Sequence, residues 1–336
     1  MYNIIFTGDT FLKNRKSDGA NNGFFSTSVK HLFVSSDHVC INLETTVGIG
    51  GAKVAKAYNF QVSPDALRLL VDNHVSICSI ANNHSNDYGE QGLQETIQNL
   101  NAYQIDYIGV KNHNQKDLLI NAKKVRLCSY YGNEKGLARI NQLEIINDIK
   151  RHKSEVDFVF VCLHWGEEYV AYPSPNQQKM AHALVDAGAS VIIAHHPHVM
   201  QGFEKYKNGL IFYSLGNFNF FVDHPYAKQL IETTKAYCVG LNIEENGTIS
   251  HEIIPIHINE DWQPTVITNA DEKSRFFKYF NCISKPLENS IGNGFWYAEA
   301  APHYFQNHFP SWRKRIKNYG MKHLIKMMKW LIHPAT

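Results

Sequence analysis

The stretch "VIIAHHPHVMQ", Val191 to Gln201, is an apolar, β-forming run that delivers three imidazoles, His195, His196 and His198, within four positions. A run of this kind reads as a buried strand. The histidines behind it need partners, because imidazoles beside a core cost free energy unless polar groups or a metal receive them. What constrains the fold is that the arrangement recurs. Four other β-rich runs end in metal-competent or acid–base side chains: "IIFTGD" in Asp9, "VCINLE" in Glu44, "CSIANNH" in Asn83 and His84, and "FVFVCLHWGEE" in His164. In open α/β sheets ligands bind at the carboxyl ends of strands, so the five ends are expected to converge on one crevice.

The rest of the chain supports an α/β architecture. Strands are expected at 2–6, 38–43, 75–80, 125–130, 157–163, 190–194, 210–215, 237–243 and 250–256. Between them, "SPDALRLLVDN" opens on Ser63 as a plausible N-cap with Pro64 at the first helical position, and "GEQGLQETIQNLNAY" and "SPNQQKMAHALVDAGA" repeat apolar residues at three and four. The strands after 205 follow one another closely, with "EENG" as a hairpin turn, so the sheets should be mixed. With 336 residues, 44% of them hydrophobic, the chain can bury a large core, and one large domain with an appendage is expected.

Charge separates the ends of the chain. Of 33 basic residues seven lie in 311–336, which holds no acid, leaving 26 basic against 31 acidic residues upstream. The mildly acidic body argues against nucleic acid as a partner. Cysteines 40, 78, 128, 162 and 238 sit in apolar runs and read as buried thiols of a reducing compartment. The opening run "MYNIIF" is too short for a signal-peptide core, and a cytoplasmic location is expected.

Taken singly, each element has an ordinary explanation: a Gly-Asp turn, a surface carboxylate, a helix cap, a hydrogen-bonded core histidine. Together, "FTGDTFL", "INLETTV", "ANNHSNDYGEQGL", "LHWGEEY", "GASVIIAHHPHVMQGFE" and "YSLGNFNF" resemble the CapA family, named for poly-γ-glutamate capsule synthesis and itself similar to the calcineurin-like metallophosphoesterases. The likeness runs from about residue 2 to 260. It implies a four-layer α/β/β/α sandwich with mixed sheets over residues 1–260, followed by a C-terminal helical extension, 261–336. It also implies a metal site built by Asp9, Glu44, Asn83, His164, His196 and His198, with His84 matching the catalytic histidine. His195 falls where the motif has glycine, and is expected to stand behind the ligands or face the substrate. One departure matters: metallophosphoesterases begin with Asp-x-His, and here the third position is Phe11. The ion sharing Asp9, Glu44 and His198 would lack a nitrogen ligand, leaving Glu44, Asn83, His164 and His196 as the fuller site.

Imidazole, carboxylate and amide donors favour one or two borderline ions, Mn²⁺, Fe²⁺, Zn²⁺ or Co²⁺, over Ca²⁺. An ion in such a site activates water for hydrolysis, and His84 is placed to protonate the leaving group. The resemblance implies an anionic polymer or envelope precursor as substrate, with a phosphoester or γ-glutamyl-type amide as the bond cleaved. Candidate anion contacts are Lys53, Lys56 and Tyr58 in "GGAKVAKAYNF". Ser214 and Asn217 in "YSLGNFNF" either approach a ligand or make a tight turn. A polymer-binding accessory subunit and a phosphatase unrelated to polymers remain alternatives. In 311–334, Leu324, Ile325, Met328, Leu331 and Ile332 recur at helical spacing with Lys322, Lys326 and Lys329 between them. This segment is expected to lie on an anionic membrane at its inner face, to dock on a partner, or to pack on its own domain.

Overall fold

The computed structural model describes residues 2–13, 23–56, 58–132, 134–220, 231–300 and 302. The basic segment 311–334 lies outside them. In chain order the strands are β1 Tyr2–Thr10, β2 Ser36–Leu43, β3 Thr46–Val47, β4 Gln61–Val62, β5 Ile77–Ser79, β6 Asp106–Ile108, β7 Gln115–Ile120 and β8 Lys123–Tyr131. There follow β9 Phe158–His164, β10 Val191–His195, β11 Phe203–Tyr206, β12 Gly209–Phe212, β13 Asn217–Asn219, β14 Lys235–Ile243, β15 Ile249–Ile258 and β16 Pro264–Val266. The α-helices include α1 Thr27–Val34, α2 Arg68–Val71, α3 Gly89–Ala102, α4 Gln142–His152, α5 Pro175–Ala187 and α6 Ala270–Ser284.

Two mixed sheets result. One runs β16-β15-β14-β1-β2-β5-β6 with β13 added beside β1, the other β11-β12-β10-β9-β8-β7. Because successive side chains of a strand face opposite ways, each strand serves two cores. Ile5 of β1 joins Val29 and Phe33 of α1 and Leu93 and Leu100 of α3. Its neighbours Ile4 and Phe6 face the other sheet, against Phe160 and Cys162 of β9 and Val191 and Ile193 of β10. The alternate residues Val161, Leu163, Ile192 and Ala194 pack on Ile145 and Ile149 of α4 and Ala181 and Leu184 of α5. Helix, sheet, sheet, helix is the four-layer sandwich expected.

All nine expected strands are present. The "EENG" hairpin joins β14 to β15, and Gly247 takes φ 88° as that turn requires. α5 begins with a reciprocal cap in which Ser174 accepts from the backbone of Gln177 while the Gln177 side chain accepts from the backbone of Ser174. Ser63, by contrast, makes no side-chain cap: Pro64–Leu67 form a 3₁₀ turn before the short α2. The five cysteines in apolar runs are buried. The boundary expected at residue 260 falls between β15 and β16, which pair with Ile256 opposite Val266, and Phe276, Phe280 and Ile283 of α6 pack into the core between the sheets. Among the described residues no helix is long and apolar enough to cross a membrane.

Candidate metal centre

β1, β2 and β5 run parallel in one sheet, β9 and β10 parallel in the other, and their carboxyl ends meet. Asp9 sits where the pairing of β1 with both β2 and β13 shifts register, a bulge that re-aims its side chain. At the preceding Gly8 the backbones touch so closely that a Cβ would lie 2.0 Å from Gly216 O. Beyond β10 the chain leaves extended geometry, with His196 at φ 101° and His198 at φ 59°. Such positive values in non-glycine residues cost about 1–3 kcal/mol each and mark a site that the surrounding structure holds in place.

Glu44, fully buried, is the centre of the cluster. Its Oε1 has no hydrogen-bond partner among the described residues, yet three imidazole nitrogens surround it: Nε2 of His164 at 3.7 Å, of His198 at 3.7 Å and of His84 at 3.9 Å. Asn83 Oδ1 lies 2.7 Å from His164 Nε2, and His196 Nδ1 3.1 Å from the same nitrogen. Asp9 Oδ2 lies 3.2 Å from His198 Nδ1. The ligand atoms of Glu44, His164 and His196 fall within 4.8 Å of one another, as do those of Asp9, Glu44 and His198. An orphaned buried carboxylate oxygen inside a ring of imidazoles fits a divalent cation with mixed nitrogen and oxygen ligands.

The electrostatics agree with that fit. Burial raises Glu44 well above the usual carboxylate range, and neighbouring Asp9 adds to the shift. Burial opposes charge on His198 too, but Glu44 and the hydrogen bond to Asp9 push it up to about 10. Asp9 is lowered: burial works against its charge, and His198 outweighs burial. Burial brings His196 down to about 4 and His164 well below the ordinary imidazole value.

His84 stands beside the cluster in a different setting. Its Nδ1 lies 2.7 Å from Asp87 Oδ2, the other oxygen of Asp87 pairs with Lys56, and Thr46 donates to His84 O at 3.1 Å. Phe60 lies on the ring at 4.1 Å between centroids, and Phe11, at the position of the missing histidine, stacks on Phe60 at 4.5 Å. Phe220 completes this wall, 6.0 Å from Phe11 and 4.5 Å from the ring of His198.

Several expected contacts lie elsewhere. His195 continues the odd-numbered face of β10 that looks between the sheets, and its Nε2 lies 2.9 Å from Thr7 O, so it stands behind Asp9 and His164 and does not face a substrate. Ser214 is buried and donates to Val199 O at 2.8 Å, fixing the loop after His198 from behind. Asn217 also supports it, with Oδ1 3.0 Å from His198 Nδ1. Lys56 is held by Asp87 and by Asn83 O, whereas Lys53 and Tyr58 are exposed. Four site residues were not singled out from the sequence. Asn42 donates to Asp9 at 2.8 Å and to Glu44 at 3.3 Å, Asn82 accepts from His84 N at 3.1 Å, Asp87 orients His84, and Glu168 approaches His196 and His198. For Glu168 the signal was available in the acidic pair of "LHWGEE".

Residues 3–221 match the family model described as bacterial capsule synthesis protein PGA_cap. The capsule biosynthesis protein CapA of Bacillus anthracis is 31% identical over 268 residues, 73% of this chain and 63% of that protein. The PGA biosynthesis protein CapA of Bacillus subtilis strain 168 is 30% identical over 278 residues, 76% of this chain and 71% of that protein. A probable polyglutamine synthesis accessory protein of Mycobacterium tuberculosis H37Rv is 26% identical over 54% of this chain and 55% of its own. The 5'-nucleotidase of Candida albicans SC5314 superposes on 85% of this chain and 54% of that chain, with 11% identity and a TM-score of 0.46. The chain thus spans less than two thirds of the first of these relatives.

Proposed function

The chain belongs to the PGA_cap family of bacterial capsule synthesis proteins, and we propose that it is a metal-dependent hydrolase acting on a phosphoester or γ-glutamyl-type amide in capsule or poly-γ-glutamate metabolism. One observation carries this reading: the buried Glu44 Oε1, without a hydrogen-bond partner among the described residues, within 3.7–3.9 Å of three imidazole nitrogens. Glu44, Asn83, His164 and His196 would hold a divalent ion, and Asp9, Glu44 and His198 form a second set of donors beside them. When bound, the ion supplies Lewis acidity and lets water act as a nucleophile at neutral pH.

The chain's own residues supply the rest. Asp87 accepts from Nδ1 of His84, so the ring is locked with Nε2 toward the cluster, the atom able to pass a proton to a leaving group. Burial lowers the pKa of His84 and Asp87 opposes the change, so the ring releases its proton more readily than a free histidine would. The Phe11, Phe60 and Phe220 wall keeps water from that side of the ring.

The test is metal analysis of the purified chain, followed by a panel of phosphoesters and γ-glutamyl peptides. Hydrolysis that a chelator abolishes and Mn²⁺ or Zn²⁺ restores supports the reading, and full metal loading without turnover of any member refutes it. That second outcome would favour a polymer-binding accessory subunit, a reading for which Phe11, a ring in place of a ligand, speaks. The basic segment 311–334 extends the proposal to a cytoplasmic enzyme held at an anionic membrane surface. Full-length protein should then co-sediment with anionic vesicles, and protein ending at Asn307 should not.

A further inference from the structure

Beyond the six ligands carried by strand ends, the loop between β9 and α5 brings one more carboxylate to the centre. The backbone pins this loop at two points to the loop that carries the histidines: Trp165 N donates to His195 O at 3.0 Å, and Tyr169 N donates to Pro197 O at 2.7 Å. Just past the second pin, Val170 is buried and its carbonyl accepts from Gln201 Nε2 at 2.8 Å. Glu168 lies between the pins, and a carboxylate oxygen of Glu168 and a ring nitrogen of each of His196 and His198 fall within 4.8 Å of one another. Asp9, Glu44 and His198 are buried, whereas Glu168 is half-buried.

We propose that Glu168 is a further metal ligand, the solvent-side carboxylate of the centre, and that it makes up in part for the donor lost where Phe11 replaces a histidine. The two positions differ in kind. Phe11 is buried in a stack with Phe60 and Phe220, so this position presents a ring where a donor would stand. The backbone bonds between the β9–α5 loop and the histidine loop set the Glu168 carboxylate beside His196 and His198. As the most solvent-accessible of these three carboxylates, Glu168 is also the ligand that an anionic substrate would displace.

The inference rests on the proposed metal centre, and the experiment separates the two. Mn²⁺ affinity and stoichiometry are measured by calorimetric titration and elemental analysis on the full chain, on Glu168→Gln and on Glu167→Gln, which removes the same charge from the adjacent position. The expected result is that Glu168→Gln binds Mn²⁺ about tenfold or more weakly while Glu167→Gln matches the wild-type chain. Unchanged thermal unfolding of the ion-free variants assigns that loss to ligation and not to folding. If the wild-type chain binds Mn²⁺ and Glu168→Gln binds it equally well, or if both variants weaken alike, Glu168 is no ligand and the proposed centre stands without it. If the wild-type chain binds no Mn²⁺, the metal reading falls, and Glu168 with it.

Discussion

Two buried glutamates, each facing histidine, end in opposite situations. Glu204 on β11 has both oxygens occupied: His182 Nε2 lies 2.7 Å from Oε1, while Tyr213 OH at 2.7 Å and Gln178 Nε2 at 3.3 Å donate to Oε2. Gln178 also holds Leu287 O and Ile291 N, so this cluster fastens the segment after α6 to α5. Glu44 has more imidazoles around it and less hydrogen bonding: one oxygen takes a 3.3 Å contact from Asn42, the other none among the described residues. The first cluster is complete as it stands, while the second keeps one oxygen without a partner among the described residues, which the proposed cation would fill. Counting histidines near a carboxylate therefore does not identify a metal centre, whereas following each lone pair to its partner does.

The sharpest way to break this contrast is to neutralise each acid. Glu44→Gln should abolish metal retention after dialysis with little loss of stability in the ion-free chain, since one Glu44 oxygen has only the 3.3 Å contact from Asn42 and the other has no partner among the described residues. Glu204→Gln should leave metal content intact, and elemental analysis of the two variants checks both statements. His84→Gln comes next: metal content holds while turnover of whichever substrate the panel identifies falls by roughly 10²–10⁴-fold, the usual loss when a general acid is removed. Loss of metal together with turnover would make His84 a ligand.

A smaller effect is expected from pH. In the ion-free chain the Glu44 and His198 pair, with His198 pushed up to about 10, holds a proton at neutral pH, while His196, brought down to about 4, and His164 are neutral. An entering ion must displace that proton. Affinity should thus rise about tenfold per pH unit between 6 and 8, with about one proton released, as titration calorimetry in buffers of different ionisation enthalpy would record. Affinity independent of pH would refute the displacement. The smallest effect is in Glu204→Gln itself, where the neighbours of a satisfied carboxylate lose acceptors at a cost of about 1–3 kcal/mol, read from denaturant unfolding.

How much of this was legible in the sequence follows from which interactions are local. Asp9, Glu44, His164, His196 and His198 were legible because each ends a strand, and parallel strands deliver their ends to one place. The wall and the supports were not. Phe11 could be read only as a lost ligand, since its stacking on Phe60 depends on β3 and β4 returning the chain to β1. His195 and His196 are neighbours of the same type, and only the alternation of β10 sends the first between the sheets. Asn42 hides inside a strand that reads as apolar, and Glu168, though marked by an acidic pair, is brought beside His196 and His198 only by backbone bonds between two loops distant in sequence. Lys56 looked free to meet an anion because Asp87, its partner, lies 31 positions away.

The position of β1 sets an order of assembly. It lies between β2 and β14, with Ile4 opposite Leu241 on one side and His38 on the other. Every proposed ligand has been synthesised once residue 198 is made, yet the strand carrying Asp9 still lacks one of its neighbours until Lys235–Ile243 arrives from more than 200 positions away in sequence. Closing so long a loop is slow and precedes any reward from pairing. Ion capture is on this account a late step of folding, and occupancy of the centre would report that the first sheet has closed.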